Sequence, residues 1–292
     1  MPSHAEGRCM RDGSAPTSPG NPLLGQATQP PRAATPMDAL APITIHCLDV
    51  DKLDPGCIAG LTKLVSDNEQ AQAARFHFTA DRLAYLSAHS LLRLTLSEQV
   101  PEVMPRQWRF RVDSHGKPSL IASPEQPRWF TSLSHTRGHV AVAICAHSEI
   151  GVDIEKRAHP ALSPENLRTI LSNTEITALR RLPAERHTHR LAQMWTLKEA
   201  VSKVIGMGLA YPLHTLSIDL DRLRITTADN ALRHHDWQLF HQDLPDYSVA
   251  GACRYQAGGA TRGFRLHEVE PARLMKSAYP LPGRRHMETP HA

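Results

Sequence analysis

The chain has 292 residues, enough for one large domain or two modest ones, and its formal net charge at pH 7 is only +4. Such a small charge excludes the strongly basic composition of a protein that binds nucleic acid mainly through electrostatics. The five cysteines show no Cys-x-x-Cys spacing, and no apolar run reaches the roughly eighteen residues of a membrane span, so we expect a soluble cytoplasmic protein with reduced thiols.

The first half of the chain is predicted to be a tail followed by one folded lobe. Residues 1–40 are rich in Pro, Ser, Gly and Ala, a composition typical of disorder. Residues 41–148 should form an N-terminal lobe that begins with an alternating, β-branched strand. The predicted elements of this lobe are a strand at 43–50, helices at 57–75 and 80–98, and short strands at 108–112, 129–133 and 139–145.

Residues 149–267 are predicted to be a C-terminal lobe, and residues 268–292 a loose tail. A strand at 150–155 follows the short link 146–148, which predicts a hairpin with the preceding strand. A long helix with apolar residues three and four apart should end at Gly206 or Gly208. The other predicted elements are helices at 164–171 and 174–182 and strands at 214–220, 222–227, 236–243 and 247–255.

Both halves place helices before antiparallel strands, which indicates an ancient duplication. The clearest echo in sequence is between the apolar strands Val140–Cys145 and Ser248–Cys253. We therefore predict an α+β fold of two similar, pseudo-duplicated lobes, each with an antiparallel meander and packed helices.

Two carboxylates stand out in the second lobe. Asp153 and Glu155 are two residues apart on a predicted strand, so both project from the same face. Adjacent carboxylates repel each other, and their hard oxygen atoms favour Mg²⁺. The alternative is a solvated face at the edge of a sheet, which would hold no ion.

A Glu and a Lys lie beside the apolar stripe of the long helix. Trp195, Glu199 and Lys203 are each four residues apart and therefore share one face. Glu199 would supply a third carboxylate if the helix packs on the strand that carries Asp153 and Glu155. The alternative is an ordinary Glu–Lys pair in water.

Three residues of the first lobe are candidate phosphate ligands. Lys117 is a fixed positive charge between Gly116 and Pro118, and Ser134 and His135 are hydrogen bond donors near the end of a strand. A nucleophilic Ser–His pair is rejected, because consecutive residues of a strand point in opposite directions. The alternative is a turn with a surface His.

Together these segments resemble one family. Gly151-Val152-Asp153-Ile154-Glu155, followed by Trp195-Thr196-Leu197-Lys198-Glu199-Ala200-Val201-Ser202-Lys203, is similar to the paired signature of the 4′-phosphopantetheinyl transferases. The Gly-Lys-Pro turn at 116–118 and the pair Ser134-His135 lie where the surfactin-type, two-lobed members carry theirs. The resemblance extends over residues 43–255 and rests on the order and spacing of four motifs.

The resemblance implies transfer of the phosphopantetheine arm of coenzyme A to a serine of an acyl or peptidyl carrier protein. It implies that Asp153, Glu155 and Glu199 bind Mg²⁺ and that Lys203 contacts the phosphates. Glu199 is also the implied general base, acting directly or through water, and Asp153 or a metal-bound water could share that task.

The resemblance also implies a binding site for the 3′-phosphate of coenzyme A. The implied ligands are Lys117, Ser134 and His135, with Arg75 and Arg82 as lesser candidates. This chain departs from the family pattern at Glu69–Ala74, where surfactin-type members carry basic residues before the Arg-Phe pair. Arg75 or Arg82 is expected to compensate for that loss.

The expected protein is a monomer that binds coenzyme A and a carrier protein, but neither nucleic acid nor a membrane. Carriers of fatty-acid, polyketide and peptide synthesis all remain open. One alternative is a Mg²⁺-dependent phosphohydrolase of coenzyme A or nucleotides, with water as the nucleophile. The other is a non-catalytic module that only binds coenzyme A.

Overall fold

Two β-sheets stack face to face, and a long helix covers the outer face of each. The computed structural model describes residues 42–112, 117–121, 128–158, 166–226, 232, 235–255 and 263–274. The strands are β1 (Ile43–Asp49), β2 (Phe110–Val112), β3 (Pro118–Leu120), β4 (Phe130–Thr136), β5 (His139–Cys145), β6 (Glu149–Lys156), β7 (Ile218–Asp219), β8 (Arg224–Ile225), β9 (Asp236–Asp243), β10 (Tyr247–Tyr255) and β11 (Phe264–Glu268). The helices are α1 (Pro55–Leu64), α2 (Asp67–Ala73), α3 (Thr79–Gln99), α4 (Leu167–Ile170), α5 (Asn173–Arg180) and α6 (His187–Ile205).

The two sheets share one topology. In the first sheet β5 lies between β1 and β4, in the second β10 lies between β6 and β9, and all four pairings are antiparallel. Helix α3 packs on β4 and β5, and α6 packs on β6 and β10. The prediction of an α+β fold with two pseudo-duplicated lobes is confirmed. The two strands that resemble each other in sequence, β5 and β10, occupy equivalent central positions.

The central strands are apolar on both faces because each separates two cores. Val140 and Val142 of β5 face α3, whereas Ala141 and Ala143 face the second sheet. The core between the sheets also contains the buried thiols of Cys47, Cys145 and Cys253. Within the part of the chain that the structure describes, no helix is both long and apolar enough to cross a bilayer.

Each lobe contains a buried ion pair between a short helix and the long helix. In the first lobe, Arg93 Nε of α3 donates to Glu69 Oε2 of α2 at 2.8 Å. In the second, Lys198 Nζ of α6 donates to Glu175 Oε2 of α5 at 2.5 Å. Each glutamate also closes the capping box at the start of its own helix. The duplication therefore extends to the polar contacts that fix the long helices.

One prediction about the connections was wrong. Strands β5 and β6 do not form a hairpin, because both edges of β5 are already paired and the link 146–148 crosses to the second sheet. Strand β11 pairs in parallel with β1, so residues 264–268 belong to the first sheet. Val269 and Leu274 are buried in the first core, so the chain is packed at least to residue 274. Residues 1–41 and 275–292 lie outside the described part.

Candidate active site

Gly151 allows α6 to lie exceptionally close to β6. A Cβ atom at this position would stand 1.9 Å from the carbonyl oxygen of Ala200, a backbone atom that cannot move independently of the helix. The helix ends, as predicted, at Gly206, whose φ of 88° is the left-handed conformation that favours glycine. This close approach brings Glu199, the neighbour of Ala200, over the strand that carries Asp153.

The carboxyl groups of Asp153 and Glu199 are buried where α6 crosses β6. Each residue is only 5% exposed. Burial, with the nearby charges of Asp153 and Glu155 and against the opposing charge of Lys203, raises the pKa of Glu199 to about 7. Among the described residues, Asp153 Oδ2 and Glu199 Oε1 have no hydrogen bond partner. The site therefore holds buried carboxyl oxygens that a cation could satisfy.

Lys203 supplies a positive charge next to these carboxyl groups. Its Nζ donates to Asp153 Oδ1 at 2.8 Å and to the Val152 carbonyl at 3.0 Å. The side chain remains 22% exposed. The structure therefore places Lys203 one helical turn from Glu199 and in contact with Asp153.

Lys117 lies against the end of α6. Its Nζ donates to the Lys203 carbonyl oxygen at 2.6 Å, where a positive charge complements the helix dipole. Pro118, the next residue, accepts a long hydrogen bond from Thr131 of β4 at 3.4 Å. Thr131 itself lies three residues, about 10 Å, before Ser134 along β4.

Hydroxyl groups on alternate residues of β4 contact β6. Both are edge strands, one from each sheet. The contacts are Val152 N–H to Ser132 Oγ (2.9 Å), Ser134 Oγ to Asp153 Oδ1 (2.6 Å) and Thr136 Oγ1 to Glu155 Oε1 (2.9 Å). The first lobe therefore holds both carboxylates of the Gly-x-Asp-x-Glu motif.

Ser134 and His135 leave opposite faces of β4. Ser134 is buried against Asp153, whereas His135 is exposed, and its ring centroid is 6.4 Å from that of Tyr85 on α3. Desolvation and then the charges of Lys203 and His89 lower the pKa of His135, although exposure to water limits the size of this effect. The two predicted phosphate ligands therefore have different surroundings.

The two arginine candidates are both at the surface near α3. Arg82 lies in the first turn of α3, three residues before Tyr85, whose ring faces His135. Arg75 follows α2 and donates to Gln72 Oε1 at 3.2 Å. Arg82 is thus the arginine that the helix places on the side of His135.

The donor set suits Mg²⁺, but the described side chains do not form a closed metal site. Asp153, Glu155 and Glu199 offer the hard oxygen ligands that Mg²⁺ prefers, and two of their oxygens are buried and unsatisfied among the described residues. No three His, Cys, Asp or Glu side chains in the described ranges lie close enough to hold an ion as they stand. Since Mg²⁺ usually keeps water and substrate phosphate among its ligands, an incomplete protein cage is compatible with it.

Sequence reasoning overlooked two hydroxyl residues at this site and did not separate Lys198 from the lysines of the site. Ser132 and Thr136 were not among the predicted residues, although the spacing 132, 134, 136 places three hydroxyls on one face of a strand. Lys198 precedes Glu199 but points away from the site and is fully buried. No feature of the local sequence separates this structural lysine from a catalytic one.

Gly151→Ala is expected to destabilise the protein by about 3 kcal/mol, because the new methyl group would force α6 away from β6. Displacement of Glu199 should also lower any activity that depends on its position near Asp153. The measurement is urea unfolding beside Gly263→Ala, whose added methyl group would meet no atom within 4 Å. Equal stability of the two variants would contradict the close approach.

Two family models match most of the folded part of the chain. The model of the 4′-phosphopantetheinyl transferase superfamily matches residues 149–252. The model described as 4′-phosphopantetheinyl transferase, N-terminal, matches residues 57–147. The boundary between the two matches coincides with the passage of the chain from the first sheet to the second.

Individual proteins agree with these models. The 4′-phosphopantetheinyl transferase HetI of Nostoc is 31% identical over 151 residues, 51% of this chain and 63% of that protein. The 4′-phosphopantetheinyl transferase psf-1 of Bacillus pumilus is 30% identical over 166 residues, 56% of this chain and 67% of that protein. A holo-(acyl-carrier-protein) synthase from Bacillus anthracis, solved with CoA (3′,5′-ADP), is 23% identical with a TM-score of 0.32, covering 37% of this chain and 96% of that one.

Proposed function

Because this chain belongs to the 4′-phosphopantetheinyl transferase superfamily, we propose that it transfers the 4′-phosphopantetheine arm of coenzyme A to a serine of a carrier protein. The observation that carries this proposal is the pair of buried carboxyl groups, Asp153 and Glu199, beside Lys203. Cleavage of a pyrophosphate requires neutralisation of negative charge, and the attacking hydroxyl must lose its proton. These side chains offer both functions in one place.

Asp153, Glu155 and Glu199 would hold a magnesium ion in this reaction. When bound, Mg²⁺ would neutralise charge on the pyrophosphate oxygens of coenzyme A. Lys203 would then contact the same phosphates, because its ammonium group already lies next to Asp153 in a half-buried position. The two buried carboxyl oxygens that have no donor among the described residues support this assignment.

Glu199 would also take the proton of the carrier serine. In the metal-free protein, a carboxyl group with a pKa of about 7 is a stronger base than an exposed glutamate. Because a bound cation lowers this basicity, Asp153 or a metal-bound water would share the task. The serine oxygen would form a bond to the β-phosphorus of coenzyme A while the phosphorus–oxygen bond to 3′,5′-ADP breaks. The Lys203 ammonium group would stabilise the negative charge on that departing phosphate.

His135→Gln is expected to raise the KM for coenzyme A about tenfold and to leave the KM for 3′-dephospho-coenzyme A unchanged. The reason is that His135 would donate to the 3′-phosphate. Since the pKa of His135 is lowered, a charged ring requires proton uptake, so the preference for coenzyme A should weaken as pH rises. Steady-state kinetics with both substrates test this, with the exposed His214→Gln as control. Equal changes in both KM values would contradict the role.

The carrier protein would dock beside the end of α6. Leu209 is 74% exposed and Met207 is 37% exposed directly after this helix. Arg180 and Arg181 are exposed at the end of α5. Such a surface would suit a partner with an apolar patch and an acidic helix.

The deciding experiment is the intact mass of a serine-bearing apo carrier after incubation with this protein, coenzyme A and Mg²⁺. A gain of one phosphopantetheine group is expected. Consumption of coenzyme A without a change in carrier mass, on several carriers, would instead favour the phosphohydrolase. Binding of coenzyme A without its consumption would favour the non-catalytic module.

A further inference from the structure

Three contacts connect β4 of the first lobe to the carboxylate strand β6. Ser132 Oγ accepts from the N–H of Val152 at 2.9 Å. This contact satisfies a backbone donor on β6, the edge strand of the second sheet. This hydrogen bond fixes β6 relative to β4 one residue before Asp153. The hydroxyls of Ser134 and Thr136, further along β4, therefore lie next to the side chains of Asp153 and Glu155.

Ser134 determines which oxygen of Asp153 is available. Its Oγ donates to Asp153 Oδ1 at 2.6 Å, and Lys203 Nζ donates to the same oxygen at 2.8 Å. The second oxygen, Oδ2, is buried and has no partner in the described part of the molecule. Two donors on one oxygen fix the rotation of the carboxyl group and keep the other oxygen for a ligand.

Thr136 has the same relation to Glu155. Its Oγ1 donates to Glu155 Oε1 at 2.9 Å, and the N–H of Lys156 donates to the same oxygen at 2.9 Å. A glutamate has three side-chain torsions, so fixing its carboxyl group removes freedom that a cation would otherwise have to restrict.

Ser134 cannot easily serve a phosphate on the His135 side of β4. Ser134 is 8% exposed and directed at Asp153, while its neighbour His135 is exposed on the opposite face of the strand. Binding a phosphate there would require Ser134 to abandon the hydrogen bond to Asp153 and to leave the buried side.

We infer that Ser134 and Thr136 are positioning residues, which fix the carboxylates of Asp153 and Glu155 for a divalent cation instead of binding the 3′-phosphate of coenzyme A. This inference rests on the proposed function for its choice of cation and substrate. It assigns one of the two donors to each of these carboxylate oxygens to the first lobe. The two lobes must therefore be correctly packed before the site can bind metal.

The test is equilibrium binding of Mn²⁺, followed by electron paramagnetic resonance, on the full-length protein. Ser134→Ala and Thr136→Val should each weaken Mn²⁺ binding about tenfold, the usual effect of removing a group that orients a metal ligand. Thr136→Ser keeps the hydroxyl and should restore binding. Thr131→Val is the matched control, because this buried threonine lies on the same strand and its hydroxyl donates to the Pro118 carbonyl oxygen at 3.4 Å.

Affinity for coenzyme A and for 3′-dephospho-coenzyme A distinguishes a Ser134 that orients Asp153 from a Ser134 that binds the 3′-phosphate. We expect Ser134→Ala to change both affinities by the same factor. A loss confined to coenzyme A, with unchanged Mn²⁺ binding, would overturn the inference, and so would a parent protein that binds no Mn²⁺. A parent that binds Mn²⁺ but modifies no carrier would overturn only the proposed function.

Discussion

Glu199→Gln is expected to abolish carrier modification, by about a thousandfold or more, while making the metal-free protein more stable above pH 7. The loss of activity follows because an amide is neither a base nor a charged ligand. The gain in stability follows because Glu199 is buried near two other carboxylates, so its charged form is unfavourable in the absence of a cation.

The sign of the pH dependence is fixed by the direction of the pKa shift. The pKa of Glu199 rises from an ordinary value of 4.5 to about 7 on folding. The folded state therefore resists ionisation, and the stability of the parent should fall as pH rises from 4.5 towards 7 and then level off. The full effect is about 3 kcal/mol, and the variant should lack it.

Urea unfolding in EDTA at pH 5 and pH 8 measures this difference, and the intact mass of the carrier measures activity. Glu185→Gln, an exposed glutamate just before α6, is the control and should change neither. If Glu199→Gln were equally stable relative to the parent at both pH values, the buried charge would not be the cause.

Lys198→Ala is expected to destabilise the protein by about 3–5 kcal/mol, because it leaves a buried partner without its counter-charge. Lys198 Nζ donates to Glu175 and to the carbonyls of Ile170 and Leu213, at 2.5, 2.8 and 3.0 Å. This one side chain thus connects α6 to α5, to the end of α4 at Ile170 and to the segment after α6 at Leu213. Its loss removes one donor from each of these three acceptors.

Chemical denaturation compares this variant with the exposed Lys52→Ala and with the double variant Lys198→Met/Glu175→Gln. The double variant removes both charges and should recover more than half of the lost stability, since an isolated buried charge costs more than a neutral pair. Arg93→Ala should resemble Lys198→Ala, because Arg93 has the corresponding role in the first lobe. A cost below about 1 kcal/mol for Lys198→Ala would contradict this account.

The duplication explains why the described part of the molecule has a carboxylate site in one lobe and not in both. His46 pairs across the first sheet with Val142, and Asp153 pairs across the second with Ala250, at equivalent positions of β5 and β10. His46 therefore corresponds to Asp153, and by the same register Leu48 corresponds to Glu155. On the long helices Arg93 corresponds to Lys198, so the next residue, Leu94, corresponds to Glu199. The first lobe keeps the framework but carries none of the three carboxylates.

The sequence was sufficient to predict which motif residues share a strand face or a helix face, and to predict the plan of two similar lobes. Asp153 and Glu155 could be placed on one strand face from their spacing, and Glu199 and Lys203 on one helix face, because these relations are local. Whether the helix crosses the strand depends on Gly151, and its role is visible only through its distance to Ala200.

Interactions between distant residues could not be predicted in the same way. The pairing of Lys198 with Glu175 joins residues 23 positions apart, and Ser134 lies 19 positions from Asp153. Propensity and periodicity carry no information about which of several polar side chains will meet. The parallel pairing of β11 with β1 was missed for the same reason, since it joins the two ends of the folded region.

That last pairing couples the synthesis of one lobe to the completion of the other. Strand β1 emerges from the ribosome more than two hundred residues before β11, its parallel neighbour, is made. Until then one edge of β1 lacks its native partner, and such an edge can pair with other chains. The first lobe therefore cannot finish folding until the second has been translated. Despite its duplicated origin, the molecule cannot be divided at the link between its lobes without opening the first sheet.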